Sequence, residues 1–280
     1  MKNVISKAYA KINLTLDVFP KRDDGYHELR SIMQTVSLHD RVIVSLESGR
    51  TEITSDALRA GIENDLCVRA AKQFLSVFLP DVKLGVDIQL EKNIPVSAGL
   101  GGGSSDAAAV IKCLAEEFRV TDRERLIDVC RSIGSDVPFF LDGGMALVEG
   151  TGEKLTPLPY RFDRQLLLVK PQQGTSAGEV YRTFDTLSAP SAYATDSVLL
   201  RMEQGVLPTD ALSNTLQDAA IMVAPQSGEI VKKMYSLGAE KSLVSGSGST
   251  VIGFFPESEI RQAAQVLSSY GFCERCQFIY

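Results

Sequence analysis

The residues most able to do chemistry here act through backbone more than side chains: positions 95–109 read PVSAGLGGGSSDAAA, with four glycines inside positions 99–103, then two hydroxyls, an acid and three alanines. Each glycine costs conformational entropy on folding, so a cluster of them implies close approach of the backbone to something else. A strand ending at Pro95, glycines 99, 101, 102 and 103, and a helix opening near Ser104 would gather unpaired N–H groups and the positive end of a helix dipole around an anion. Phosphate is the natural guest. Two familiar phosphate loops do not fit: Walker A needs Lys-Ser/Thr after its last glycine, and G-x-G-x-x-G fails because Ser104 stands five residues after Gly99. A flexible linker would not normally be fused to an alanine-rich helix with a strand just upstream.

The rest of the chain narrows the guest to a small molecule. With 280 residues and 44% hydrophobic content, the chain can bury roughly 75% of the surface that its unfolded form exposes. A formal net charge of -6 disfavours a nucleic-acid or anionic-membrane partner. No apolar run approaches the ~20 residues of a membrane span, and the opening MKNVISKAYAKINLTLDV alternates instead of forming a signal-peptide core, so a cytoplasmic protein is expected. Cys67, Cys113, Cys130, Cys273 and Cys276 are scattered along apolar segments, as reduced core thiols are. Cys273 and Cys276 form a CxxC, but no second pair or nearby His completes a zinc set.

These features must be positioned by mixed elements. Residues 5–19, 41–48 and 82–95 read as strands, with a helix from about Ser104 and another over TDRERLIDVCRSIG, where Thr121 and Glu124 suggest a capping box and Gly134 a stop. GGMALVEGTGEKLTPL reads as a hairpin turning at GTGE. A proline-bearing link, PLPYRFDR, suggests a domain boundary, and the second half mixes strands (QLLLVKP, SLVSGSGSTVIGFFP, CERCQFIY) with helices. Without a strict βαβ repeat, this is an α+β pattern.

Taken together the motifs resemble those of the GHMP kinases, the family of galactokinase, homoserine kinase, mevalonate kinase and phosphomevalonate kinase. PVSAGLGGGSSDAAA is similar to their second signature, P-x-x-x-G-L-G-S/G-S-S/A-S/A. AKINLTLDVFPKRDDGYHEL (10–29), SDVPFFLDGGMALVEGTGE (135–153) and SGSGST (245–250) resemble, in order and spacing, the motifs of a branch acting on a cytidine-linked substrate. The resemblance implies a two-domain GHMP kinase fold: an N-terminal, ribosomal-protein-S5-like nucleotide-binding domain over residues 1–158 and a C-terminal α+β domain over 159–280. It also implies ATP-dependent transfer of the γ-phosphoryl group, with Mg²⁺, to the 2-hydroxyl of a cytidine-diphosphate-linked methylerythritol, by a monomer or homodimer.

The same resemblance assigns roles. Asp136 in GSDVP would orient or accept the hydroxyl proton, with Lys11 in AKIN near the transferring phosphoryl; on their own, an acid before a proline and a strand lysine are ordinary turn and surface residues. Phosphoryl transfer passes through a loose transition state, so positioning and charge matter more than a strong base. Pro95, Val96, Ser97, Ala98, Gly99, Leu100, Gly101, Gly102, Gly103, Ser104 and Ser105 would form the nucleotide loop, with Lys92, Asp65, Leu66 and the segment 63–70 flanking the adenine or ribose, and Ser105 a candidate Mg²⁺ ligand. Tyr26 and His27 would stack on and hydrogen-bond the cytosine, Asn13 would hold substrate hydroxyls or phosphate, and Gly246, Ser247 and Gly248 would hold the diphosphate. Departures from the family pattern are Asp65 in place of Asn, Ala177 in place of Thr and Gln217 in place of an acid. Two alternatives stay open: another GHMP small-molecule kinase, and a catalytically silent nucleotide-binding homologue.

Overall fold

The computed structural model describes residues 2–59, 64–188, 190 and 192–280. In chain order the elements begin β1 (Lys2–Lys21), β2 (His27–Ser48), β3 (Ile53–Ser55), α1 (Asp56–Arg59), α2 (Leu66–Phe78), β4 (Leu84–Glu91) and α3 (Gly102–Glu117). There follow α4 (Arg123–Ile133), α5 (Phe139–Asp142), β5 (Met145–Gly150), β6 (Lys154–Pro157), β7 (Gln165–Pro171), α6 (Ala177–Phe184) and α7 (Thr195–Glu203). The chain ends with β8 (Ser213–Asn214), α8 (Gln217–Val223), α9 (Pro225–Ser236), β9 (Lys241–Val244), β10 (Val251–Phe254), α10 (Ile260–Leu267) and β11 (Gly271–Gln277). The α+β expectation holds. No helix among the described residues is long and apolar enough to cross a membrane.

Two compact units form, one from residues 1–10, 39–94 and 101–143, the other from 11–38, 95–100 and 144–280. In the first, the C-terminal half of β2 pairs antiparallel with β4, and β3 pairs parallel with β4. Apolar residues of β2 and β4 (Val42, Val44, Val86, Ile88) are buried, as are the inward faces of α2 and α3, which pack on each other. Spacing explains α2: Cys67, Val68, Ala70, Ala71 and Phe74 recur on one face, and all are buried. In the second unit, β11, β7, β10 and β9 form an antiparallel four-stranded sheet in that order. Its core takes Leu167 and Val169 from β7, Ala219 and Ala220 from α8, Ile230 and Met234 from α9, and also Leu16 and Val18 from β1.

Local chemistry moves some boundaries. α3 opens at Gly102, two residues before the expected Ser104, because Gly101 supplies a left-handed N-cap (φ 69) with no side-chain cap. The α4 cap is Asp122 rather than Thr121: its carboxylate accepts from Arg125 N at 3.2 Å, which shifts the cap by one residue and dissolves the Thr121/Glu124 box. β2 is far longer than the predicted 41–48, its N-terminal half pairing with β5, and β5 and β6 form the expected hairpin.

The segment before α3 is held against the β9–β10 turn by backbone contact. Gly99 has φ +73, and a Cβ there would collide with the Ser245 carbonyl oxygen and lie 2.8 Å from that of Gly248. Thr250 N donates to Ala98 O at 3.3 Å across the same junction. Only a residue without a side chain permits this approach.

Gly99→Ala is therefore expected to destabilise by about 2 kcal/mol or more, combining left-handed strain with displacement of backbone. Gly25 has a similar φ of +85 but nothing within 4 Å of its Cβ position, so Gly25→Ala should cost only about 1 kcal/mol, the strain alone. Equal costs in urea unfolding would show that the collision is relieved freely. Asp122→Ala should cost about 1 kcal/mol and Thr121→Ala close to nothing, by the same measurement.

Candidate active site

Alternation along β1 sends Ile12, Leu14, Leu16 and Val18 to one face and Lys11, Asn13, Thr15 and Asp17 to the other, and both sets are buried. Buried polar groups need partners, and this row has them. Lys11 Nζ donates to Asn13 Oδ1 at 2.9 Å, and Asn13 Nδ2 donates to Ser31 Oγ at 2.8 Å. Ser31 Oγ donates to the Thr15 carbonyl at 2.5 Å, and the Thr15 and Thr195 hydroxyls lie 2.8 Å apart. Asp17 accepts from Ala194 N at 3.0 Å and Thr195 N at 2.8 Å.

Both glycine segments converge on the head of that row. Lys11 N donates to Leu100 O at 3.0 Å, tying β1 to the end of 95–100. A Cβ on Gly246 (φ +58) would sit 3.0 Å from Asn13 Oδ1 and 3.5 Å from Lys11 Nζ, so the backbone at 246 lies against the Lys11–Asn13 pair. Asn214 Nδ2 donates to Gly246 O at 2.7 Å and Thr175 Oγ1 donates to Ser247 O at 3.0 Å. The Gly246 and Ser247 carbonyls are thus held by protein donors.

In the other unit, the N-terminus of α3 rests on a cluster of charges. Lys92 Nζ bonds Asp106 Oδ2 at 2.5 Å and also bonds Asp40 Oδ2; the two carboxylates are buried, and the Lys92 side chain is 35% exposed. Burial alone would lower the Lys92 ammonium, but Asp106 and Asp40 outweigh it and hold it above the ordinary lysine value. Burial pushes Asp106 up to about 7, Lys92 opposing and Asp40 reinforcing. A Cβ on Gly102 would lie 3.6 Å from Lys92 Nζ, and one on Gly103 3.6 Å from Leu66 Cδ1. Asp65 caps α2, accepting from Cys67 N at 3.1 Å and from the Ser55 hydroxyl. Asn and Asp cap equally well, which accounts for Asp at this position. Glu63, the first residue of the 63–70 segment, lies outside the described residues. Ser105 Oγ donates to the Tyr9 carbonyl at 2.7 Å from a buried position, turned inward, while Ser104 is half-buried. Among the described residues no group of three or more His, Cys, Asp or Glu could hold a metal ion. The Cys273–Cys276 pair lies on β11. Asp136 is half-buried in the turn between α4 and α5, where Val137 N donates to Gly134 O at 3.2 Å.

His27 borders a cavity of about 310 Å³ lined also by Pro20, Lys21, Phe184, Asp185 and Leu187. Its Nδ1 faces the Phe19 carbonyl at 2.8 Å and so carries a proton, while Nε2 lies 2.9 Å from Asp185 Oδ1. The Tyr181 and Phe184 rings pack at 5.4 and 5.8 Å from the imidazole. Lys21 Nζ bonds Asp185 at 2.9 Å, and this cation first, then His27, holds the Asp185 carboxyl below its usual range. Tyr26 is not among the cavity's lining residues: it is 66% exposed in the turn after Lys21, its N–H donating to Asp24. Lys21, Phe184 and Asp185 are additions that sequence reasoning misses; the only hint is an aromatic-acid pair closing an amphipathic helix far down the chain.

Comparison with known proteins agrees with this architecture. The GHMP kinases N terminal domain matches residues 65–144 and the GHMP kinases C terminal domain residues 206–272. A 4-diphosphocytidyl-2-C-methyl-D-erythritol kinase of Clostridium botulinum (strain Eklund 17B / Type B) is 40% identical over 261 residues, covering 90% of each chain. One of Syntrophomonas wolfei is 41% identical over 262 residues, covering 92% of this chain and 91% of its own. A crystal structure of 4-(cytidine 5'-diphospho)-2C-methyl-D-erythritol kinase superposes with a TM-score of 0.82 at 33% identity, over 98% of this chain and 99% of that one. With the motifs, the fold and relatives this similar over nearly their whole length, the chain belongs to the GHMP kinases and, within them, to the 4-diphosphocytidyl-2-C-methyl-D-erythritol kinase family.

Proposed function

We propose that this chain transfers the γ-phosphoryl group of ATP to the 2-hydroxyl of 4-diphosphocytidyl-2-C-methyl-D-erythritol, in the cytoplasm, with residues 1–158 supplying the nucleotide loop and the reacting pair and residues 159–280 the Gly/Ser loop. The observation that carries the reading is the buried Lys11–Asn13 pair, bound through its backbone to Leu100 of one glycine segment and lying against Gly246 of the other. An ammonium held there neutralises the equatorial charge of a transferring phosphoryl group, and Asn13 orients the ammonium. Asp136 orients the attacking hydroxyl and receives its proton, a role that needs placement more than basicity.

The loop from Ser97 to Ser104 cradles the nucleotide phosphates with backbone N–H groups and the N-terminus of α3. The 246–248 turn, its carbonyls at 246 and 247 held inside and its Gly248 N–H donated to the Ser245 carbonyl at 2.9 Å, offers the substrate diphosphate the N–H groups of Gly246 and Ser247 rather than acceptors. His27 and Phe184 receive the cytosine in the cavity that they line, ring against base, with Tyr26 closing over it from the adjoining turn. Mg²⁺ would be held by the nucleotide phosphates and its own waters and would supply charge screening there; the described residues provide no cage of acidic or His/Cys ligands for it, and the Ser105 hydroxyl is engaged with the Tyr9 carbonyl.

The test is an ADP-release assay with ATP, Mg²⁺ and the cytidyl substrate, run beside mevalonate, phosphomevalonate, homoserine and galactose. Turnover confined to the cytidyl substrate is expected; turnover on another alcohol alone would keep the kinase and discard the substrate. Asp136→Asn should lower kcat by about 10²–10⁴-fold with nucleotide affinity near that of the wild type, and a wild-type rate would remove Asp136 from the mechanism. His27→Ala should raise KM for the cytidyl substrate with a smaller effect on kcat. Equal use of cytidine and uridine substrates by the wild type would refute a base-reading role for His27.

A further inference from the structure

The charges beneath the start of α3 do not balance. Asp40 and Asp106 share the single ammonium of Lys92. Asp40 is fully satisfied: Oδ1 accepts from Asn93 N at 2.5 Å and Ile94 N at 2.8 Å, and Oδ2 from Lys92. Asp106 is satisfied at one oxygen only, for its Oδ1 is buried with no hydrogen-bond partner. Two buried carboxylates on one cation carry a net negative charge when both are ionised, and the carboxylate with the unpaired oxygen is the one that more easily takes a proton. Burial and Asp40 act in that direction on Asp106, against Lys92. From α2, Asp65 and Cys67 face the same region, and the Cys67 thiol is itself pushed well up by burial and by Asp65 and Asp106, so it stays neutral and adds no charge to the cluster.

Asp106 lies four residues beyond Gly102, about 6 Å along the helix axis, within the α3 turn that would meet the nucleotide phosphates. We propose that Asp106 is a positioning residue that links nucleotide binding to proton uptake: its protonation neutralises the Asp40–Lys92–Asp106 cluster, and the glycine loop then accepts a polyphosphate without a buried negative charge behind it. This rests on the nucleotide-site reading of the glycine loop given above. The sign follows from linkage. A bound anion favours the protonated carboxyl, so nucleotide affinity is highest below the midpoint near 7 and declines as pH rises through it.

The experiment is titration calorimetry of the full-length protein with MgADP at pH 7 in buffers of different ionisation enthalpy, repeated for affinity from pH 6 to 8.5. Wild type should take up a fraction of a proton beyond the amount taken up by Asp106→Asn, and its dissociation constant should rise relative to that variant by up to about tenfold per pH unit above 7. The nucleotide's own titration is common to both proteins and cancels. Lys92→Met provides a second reading: with the cation gone, the midpoint should move to higher pH. Equal uptake in wild type and Asp106→Asn, a flat affinity ratio, or an unmoved midpoint in Lys92→Met overturns the proposal. MgADP binding with the linkage but without phosphoryl transfer to any acceptor supports it while removing the kinase reading; absence of MgADP binding overturns both.

Discussion

The constraint on which the site depends is the burial of the polar face of β1. Half-buried strands usually leave such a face to water, whereas here Lys11, Asn13, Thr15 and Asp17 are all enclosed. Each buried donor or acceptor left unmet would cost about 1–3 kcal/mol, so the row can be buried only if other parts of the chain arrive with matching groups. They come from far away: Ser31 from β2, the 194–195 backbone at the head of α7, and Ser245 from the β9–β10 turn, whose hydroxyl accepts from Asn13 N at 3.4 Å. Satisfying one strand therefore fixes where several loops lie.

Glycine does the complementary work. Where the row needs side chains to meet, the two loops at its head need side chains to be absent, since Gly99 approaches the Ser245 and Gly248 carbonyls and Gly246 approaches Asn13 Oδ1 at distances that leave no room for a Cβ without displacement. The entropy lost in ordering these glycines is offset by the hydrogen bonds that the approach allows, among them Lys11 N to Leu100 O and Thr250 N to Ala98 O. Rigid backbone is also what phosphoryl transfer asks of a protein, because placement and charge contribute more than reactive groups do.

Much of the fold is legible in the chain because period and punctuation are local. The strand at 5–19, the hairpin at GTGE, the Gly134 stop and the alternating elements of the second half follow from alternation, turn residues and caps. What escapes is non-local. The N-terminal half of β2 lacks a clean alternation because its residues from Ser31 to Val36 are buried on both faces, against β5 and other neighbours. The helix α2 escapes because ENDLCVRA reads as a ligand-flanking segment until Asp65 is seen as its N-cap. The α4 cap shifts from Thr121 to Asp122 because two adjacent residues are both good caps, and only the backbone conformation decides between them.

The candidate site divides along the same line. Its backbone-built part is written in contiguous glycines, which betray themselves because nothing else tolerates those conformations and contacts. Its side-chain part is assembled from residues far apart in the chain, and no local pattern joins Lys21 and His27 to Phe184 and Asp185, or Asp40 to Lys92 and Asp106. Burial decides the meaning of such residues. Lys92 reads in sequence as a cation beside a nucleotide, yet two carboxylates take most of its charge. A lysine so neutralised shapes the ground beneath a loop more than it attracts what binds there, so the electrostatics beneath the proposed nucleotide loop turn on whether Asp106 holds a proton.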